Sequence, residues 1–160
     1  MTSMETISSD SYVLGIIKKE IPRSLYLLFY NRVNSLVKPS NASTKWIFPA
    51  WPDKDIENAS SYPICIINSP EGGNKKLTQT RKQVNFTIDI TVYVSNQKDL
   101  DNISGEVLDA VEVSYPYFKK LNIHHVNWEG SSTDHKKMDK ITVHSKTMSF
   151  SGNWAFNRTM

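Results

Sequence analysis

Val84-Asn-Phe-Thr-Ile-Asp-Ile-Thr-Val-Tyr-Val94 decides how this chain is read. Val84, Phe86, Ile88, Ile90, Val92 and Val94 alternate with Asn85, Thr87, Asp89, Thr91 and Tyr93. Successive side chains of a strand point to opposite faces, so the segment predicts a long central strand with one dry and one polar face. A dry face of this length must be closed by other parts of the chain, and the flanking segments have the pattern to do so.

Downstream, Asn96 is placed to cap a helix and Asp99 falls in its first turn, where an acid favours the helix dipole. Leu100, Ile103, Val107 and Val111 form its apolar stripe, which ends near Tyr115-Pro116. Two strand-like segments follow, about 122–129 and 139–156, joined by the polar stretch Gly130–Lys137 and read as a hairpin. In the second, Ile141 and Val143 share one parity while Met148, Phe150, Trp154 and Phe156 share the other, a switch that predicts a β-bulge.

Upstream, residues 1–8 are polar and expected to be loosely held. Residues 9–39 follow a helical pattern divided by Pro22, which suits the first turn of a new helix. Leu25, Leu28, Phe29, Val33 and Leu36 form one stripe on the second piece. Pro49 and Pro52 restrict Trp46-Ile47-Phe48 to an edge strand or bent loop. Tyr62-Pro-Ile-Cys-Ile-Ile67 is a continuous apolar run, as in a strand covered on both faces. The order helix, interrupted strand, apolar strand, long loop, long strand, helix, hairpin predicts an α+β fold: an antiparallel or mixed sheet with helices packed on one face.

A chain of 160 residues fits one domain, 1–160, and is large enough to fold without a disulfide or metal. Its 39% hydrophobic and 22% charged residues are those of a globular protein. A net charge of +3 is too mild for a dedicated nucleic-acid binder. No run approaches the roughly 18 apolar residues that cross a bilayer. The first residues lack a basic start followed by an apolar block, so no signal peptide is expected. Cys65 is the single cysteine, which excludes an internal disulfide and fits folding in a reducing cytoplasm.

Candidate chemistry is sparse. Gly72-Gly-Asn-Lys-Lys-Leu-Thr78 lacks the spacing of a phosphate-binding loop. His124, His125, His135 and His144 fall in the C-terminal third, but adjacent histidines on a strand point to opposite faces, and zinc needs three or four converging ligands. Cys65 lies between isoleucines, where a thiol has little thiolate character. Asp53 with Asp55, and Asp99 with Asp101, lie in loops or helix starts. No catalytic, cofactor or metal residue is assigned, and the chain is expected not to be an enzyme. Lys75, Lys76, Arg81 and Lys82 differ, placing four positive charges within eight residues on the loop 71–83. That loop reads as a projecting arm that docks on an acidic protein surface or near nucleic acid. No aromatic lies between residues 70 and 83 to stack on bases, which favours protein.

Tyr62-Pro-Ile-Cys-Ile-Ile-Asn-Ser-Pro70, the basic loop, Val84–Ser95 and the helix Leu100–Val111 together resemble the tail terminator (tail completion) proteins of long-tailed bacteriophages, a group that shares its fold with other neck and head–tail joining proteins. The matching order of elements extends from about residue 20 to residue 156. The resemblance implies a homohexameric ring on the end of the tail tube, which stops tube growth and presents a surface to the neck or connector protein. It implies no cofactor, no membrane and no sequence-specific nucleic-acid binding, although DNA passes through such rings. The expected location is the virion neck, reached from the host cytoplasm during assembly. Candidate contacts are the basic loop, the polar parity of the long strand (Thr87, Asp89, Thr91, Tyr93), and Trp154 and Phe156, read as rings a neighbour covers. The competing expectations are another neck or head-completion protein of the same fold and, from a different class, a small metal-dependent hydrolase or nuclease using the histidines.

Overall fold

The computed structural model describes residues 21–39, 42, 45–50, 62–68, 74–76, 81–137 and 141–157. In chain order these form α1 (Ile21–Leu36), β1 (Ile47–Phe48), β2 (Ile64–Asn68), β3 (Asn74–Lys76), β4 (Arg81–Val94), α2 (Gln97–Val113), α3 (Tyr115–Lys120), β5 (Ile123–Lys137) and β6 (Thr142–Asn157). The expected helix over residues 9–20, the residue 1–8 segment and the Pro52 bend lie outside the described residues.

The strands make one mixed sheet in the order β1-β2-β4-β6-β5, with β3 paired to the start of β4. β1 runs parallel to β2, and every other pairing is antiparallel. β4 and β6 are paired without a break from Arg81↔Asn157 to Val94↔His144. The chain leaves β4, crosses through α2 and α3, and returns as β5 two places away, so that β6 fills the gap between them. The expected α+β class, with helices on one face and a C-terminal hairpin, is the fold observed.

The alternation in β4 holds. Phe86, Ile88, Ile90, Val92 and Val94 are all buried in the main core, with Cys65 and Ile67 of β2 and Met148, Phe150 and Trp154 of β6. At about 3.4 Å per residue β4 spans roughly 45 Å, whereas α2 at 1.5 Å per residue spans roughly 25 Å, so one helix cannot roof the sheet. Leu100, Ile103, Val107 and Val111 of α2 cover one part. Phe29 of α1 covers another: it meets Phe86 edge-on with centroids 6.3 Å apart and stacks on Phe118 of α3 at 4.6 Å. The α1 stripe buries Leu25, Leu28, Phe29 and Val33 but leaves Leu36 about half exposed. Val37, four residues beyond Val33, takes the inward position, as a period of 3.6 dictates.

Asn96 is the N-cap of α2, its side chain accepting from the Lys98 N–H at 3.0 Å, with Asp99 in the first turn. Asn96→Ala is expected to cost about 1 kcal/mol, read as a melting temperature roughly 2–4 °C lower, whereas Asn96→Asp keeps the wild-type value. Pro116 does not end the helical region. Ser114 closes α2, its N–H bonded to Val111 O, and Pro116 sits in the first turn of α3, where its missing N–H has no intrahelical partner to lose. The buried Ser114 hydroxyl donates to Ala110 O and accepts from Arg32 Nε at 3.0 Å. The Arg32 guanidinium also lies 4.6 Å over the Tyr117 ring, so α1 is fastened to the α2–α3 corner.

Three expectations are corrected. First, Gly130–Lys137 is not the connector of the final hairpin but the second half of β5, whose pairing to β6 continues as far as Lys137↔Thr142. Second, the parity switch in β6 is not a bulge in that strand, whose pairing to β4 never slips. Val143 is buried on the opposite face of the sheet, in a second cluster with Tyr62 and Ile64 packed by Phe48, Ile66, Tyr93 and Ile141. The irregularities lie in β5, between His124 and Asn127 and between Trp128 and Gly130, with His125 at φ 57° and Gly130 at φ 148°. Third, the basic stretch is not an open loop: Lys75 and Lys76 lie in β3, Arg81 and Lys82 in β4, and Asn74↔Val84, Lys75↔Gln83 and Lys76↔Lys82 are paired as a hairpin.

Candidate interaction surface

The face of the sheet turned away from the helices is built by parity. Asn85, Thr87, Asp89, Thr91 and Tyr93 of β4 stand in register with Asn153, Ser151, Ser149, Thr147 and Ser145 of β6. Several of their side chains bond across the strands. Ser149 Oγ donates to Asp89 Oδ1 at 2.7 Å, Thr91 and Thr147 hydroxyls are 2.9 Å apart, and Ser151 Oγ donates to Glu129 Oε1 of β5. The result is a low-relief polar carpet with few charges. At its β1–β2 side it runs into the second apolar cluster, where burial, and after it the charge of Asp134, push the Tyr93 phenol above its ordinary value.

A hollow of about 430 Å³ opens in the carpet among Asn85, Thr87, Ser151 and Asn153 with His125 and Asn127 of β5. It lies at Gly152, which has no side chain because the Phe86 ring lies across it: a Cβ there would sit 2.6 Å from Phe86 Cζ. A second cleft, of about 420 Å³, opens between Tyr115 and Lys119 of α3 and the His124–Val126 stretch of β5.

The candidate contact residues separate clearly. Thr87 is exposed, and Asp89, Thr91 and Tyr93 are half-buried, all on this open face. Trp154 is not a surface ring: it is fully buried, with its indole N–H donating to Leu121 O at 3.1 Å, and belongs to the core. The side chains of Phe156 and of Lys75, Lys76, Arg81 and Lys82 lie outside the described residues, although their backbones place the basic hairpin at the end of β4 farthest from α2. Trp128, which the sequence reading left unassigned, is the largest exposed ring among the described residues, about half accessible, with its N–H donating to Ser131 Oγ.

Among the described residues no three of His, Cys, Asp and Glu converge for a metal ion. His124 and His125 have ring centroids 6.4 Å apart. His135 and His144, nine residues apart in sequence, instead meet across the β5–β6 ladder, Nδ1 to Nδ1 at 2.6 Å. Sequence reasoning missed this pair because it ended β5 too early; an equal count of two residues back from Lys137↔Thr142 brings the two into register. Cys65 is wholly buried, and burial pushes its thiol far above its usual value, which leaves no thiolate for nucleophilic attack.

The fold and this surface define an α+β domain with a helix-roofed core and a broad polar sheet face. No protein-family model matches the chain, and a search of curated proteins finds no relative. Among the described residues no helix is long and apolar enough to cross a membrane.

Proposed function

We propose that the chain is a structural virion subunit, a tail terminator that forms a ring on the end of a phage tail tube, stops tube polymerisation and offers the interface for head–tail joining. The observation that carries the reading is the two-sided sheet: one face closed by the chain's own helices, the other a wide, weakly charged field of Ser, Thr and Asn. An interface of moderate polarity with its own hydrogen bonds satisfied suits subunits that first fold and then assemble. In a cyclic ring one patch meets a different patch of the next copy, and closure removes the unpaired ends. The basic hairpin gives each copy a concentrated positive charge, multiplied around the ring, to meet an acidic tube end. The sequence resemblance supplies the assignment of class; the proposal rests on it and on this sheet.

Native mass measurement combined with negative-stain imaging tests the ring directly, and addition of the protein to isolated tail tubes tests capping. A closed oligomer that sits on tube ends and arrests their growth is the expected result. A monomer at all concentrations that leaves tubes growing overturns the reading; a ring that binds neck proteins but not tubes reassigns the chain to another neck component. Replacing Lys75, Lys76, Arg81 and Lys82 together by Ser is expected to leave the melting temperature nearly unchanged and to weaken tube docking by roughly tenfold or more at low salt. Co-sedimentation with tubes reads this, and undiminished docking removes the hairpin from the interface.

A further inference from the structure

His135 and His144 are cross-strand partners near the β5–β6 turn, with ring centroids 4.8 Å apart, planes at 76° and Nδ1 atoms 2.6 Å from each other. We infer that these two nitrogens form a bidentate seat for a divalent transition metal of the zinc, nickel and copper class. An imidazole nitrogen binds zinc at about 2.0–2.1 Å, so two such ligands at square or tetrahedral angles stand roughly 2.9–3.4 Å apart. Opening the pair to that distance requires less than about 1 Å, within reach of small rotations of two accessible rings.

The backbone beneath the pair is fixed on both sides. Asp134↔Ser145 and Lys136↔Val143 flank it in the same ladder, and His144 is also registered against Val94 of β4. Asp134 is not a third ligand, since it precedes His135 in the strand, is registered with Ser145 on the other face of the sheet and acts there on Tyr93. The other coordination positions are left to water or to a donor from another molecule. Two imidazoles suit borderline metals and not magnesium or calcium, which require oxygen ligands. Lys146, two residues along β6 from His144, opposes a dication, although its Nζ lies 3.8 Å from Asp101 Oδ1. The seat is therefore a modest one, and no reaction is assigned to it.

The test titrates the full chain with Zn²⁺, and separately with Ni²⁺, using calorimetry and thermal melting, with Mg²⁺ as control. One equivalent of Zn²⁺ per chain is expected, raising the melting temperature by roughly 3–6 °C at a concentration about tenfold above Kd. Shifts of the His135 and His144 imidazole ¹⁵N resonances in the unaltered protein locate the ion without any substitution. His135→Gln and His144→Gln each weaken binding at least about tenfold, as expected when one of two ligands is lost, whereas His124→Gln and His125→Gln do not. No binding by the unaltered chain, an equal response to Mg²⁺, or binding that survives both His135→Gln and His144→Gln overturns the inference.

Discussion

Trp154→Ala is expected to destabilise the folded chain by about 3–5 kcal/mol, a drop in melting temperature of roughly 6–20 °C. Trp154 is fully buried in β6, in the same core cluster as a chain of rings: Phe86 lies across Gly152 of the same strand, Phe29 meets Phe86 edge-on, and Phe118 stacks on Phe29. Truncation empties the space of an indole between strands paired on both sides, β4 and β5, so the walls have little freedom to collapse. It also leaves Leu121 O without the indole N–H. Trp154→Phe refills most of the volume and loses only the hydrogen bond, so its cost is expected to be less than half that of Ala. Chemical denaturation of both variants separates the two contributions. A Trp154→Ala protein that melts like wild type but fails to assemble would return this ring to the role of a surface contact.

The parts of the fold legible in the sequence are those in which one face is dry and the other wet. The strand Val84–Val94 and the helix 97–113 each show the period of a half-buried element, and their buried residues are those the period marks. The apolar run of β2 is legible for the opposite reason: Ile64 and Ile67 are buried on opposite faces of one strand, so no alternation appears. Segments with neither face dry are silent. Ser131–Lys137 is exposed throughout and is a strand only because β6 offers it a ladder, so its composition reads as a connector. Asn74–Lys76, too short and polar to announce itself, is likewise a strand by its pairing to the start of β4. The positive φ of His125 follows from no local signal, and glycine would be the usual residue for such a position. The His135–His144 contact depends on register, which a shift of one residue in the turn would erase.

Thr87→Arg is expected to abolish ring formation while leaving the subunit folded. Thr87 is exposed at the middle of β4 on the open face, registered against Ser151, beside the hollow at Gly152. In a free subunit the new guanidinium reaches water, and a surface change of this kind moves stability by no more than about 0.5 kcal/mol. In a ring that buries this face, the same charge is taken out of water among side chains already bonded to one another, Ser149 to the Asp89 carboxylate and Thr91 to Thr147. Desolvation of the guanidinium and the space it demands, partly offset by Asp89 and by the Glu129 carboxylate bonded to Ser151, cost about 1–3 kcal/mol, which weakens each contact by roughly one to two orders of magnitude in Kd. Thr87→Ser adds no charge or bulk and is expected to assemble normally. Sedimentation velocity on the three proteins at matched concentration reads the difference: wild type and Thr87→Ser as the closed oligomer, Thr87→Arg as a monomer with the wild-type circular dichroism spectrum and a melting temperature lowered only by the lost association. Assembly of Thr87→Arg at the wild-type concentration would place the contact between copies elsewhere, with the exposed Trp128 and the long edge of β5 the next surface to substitute.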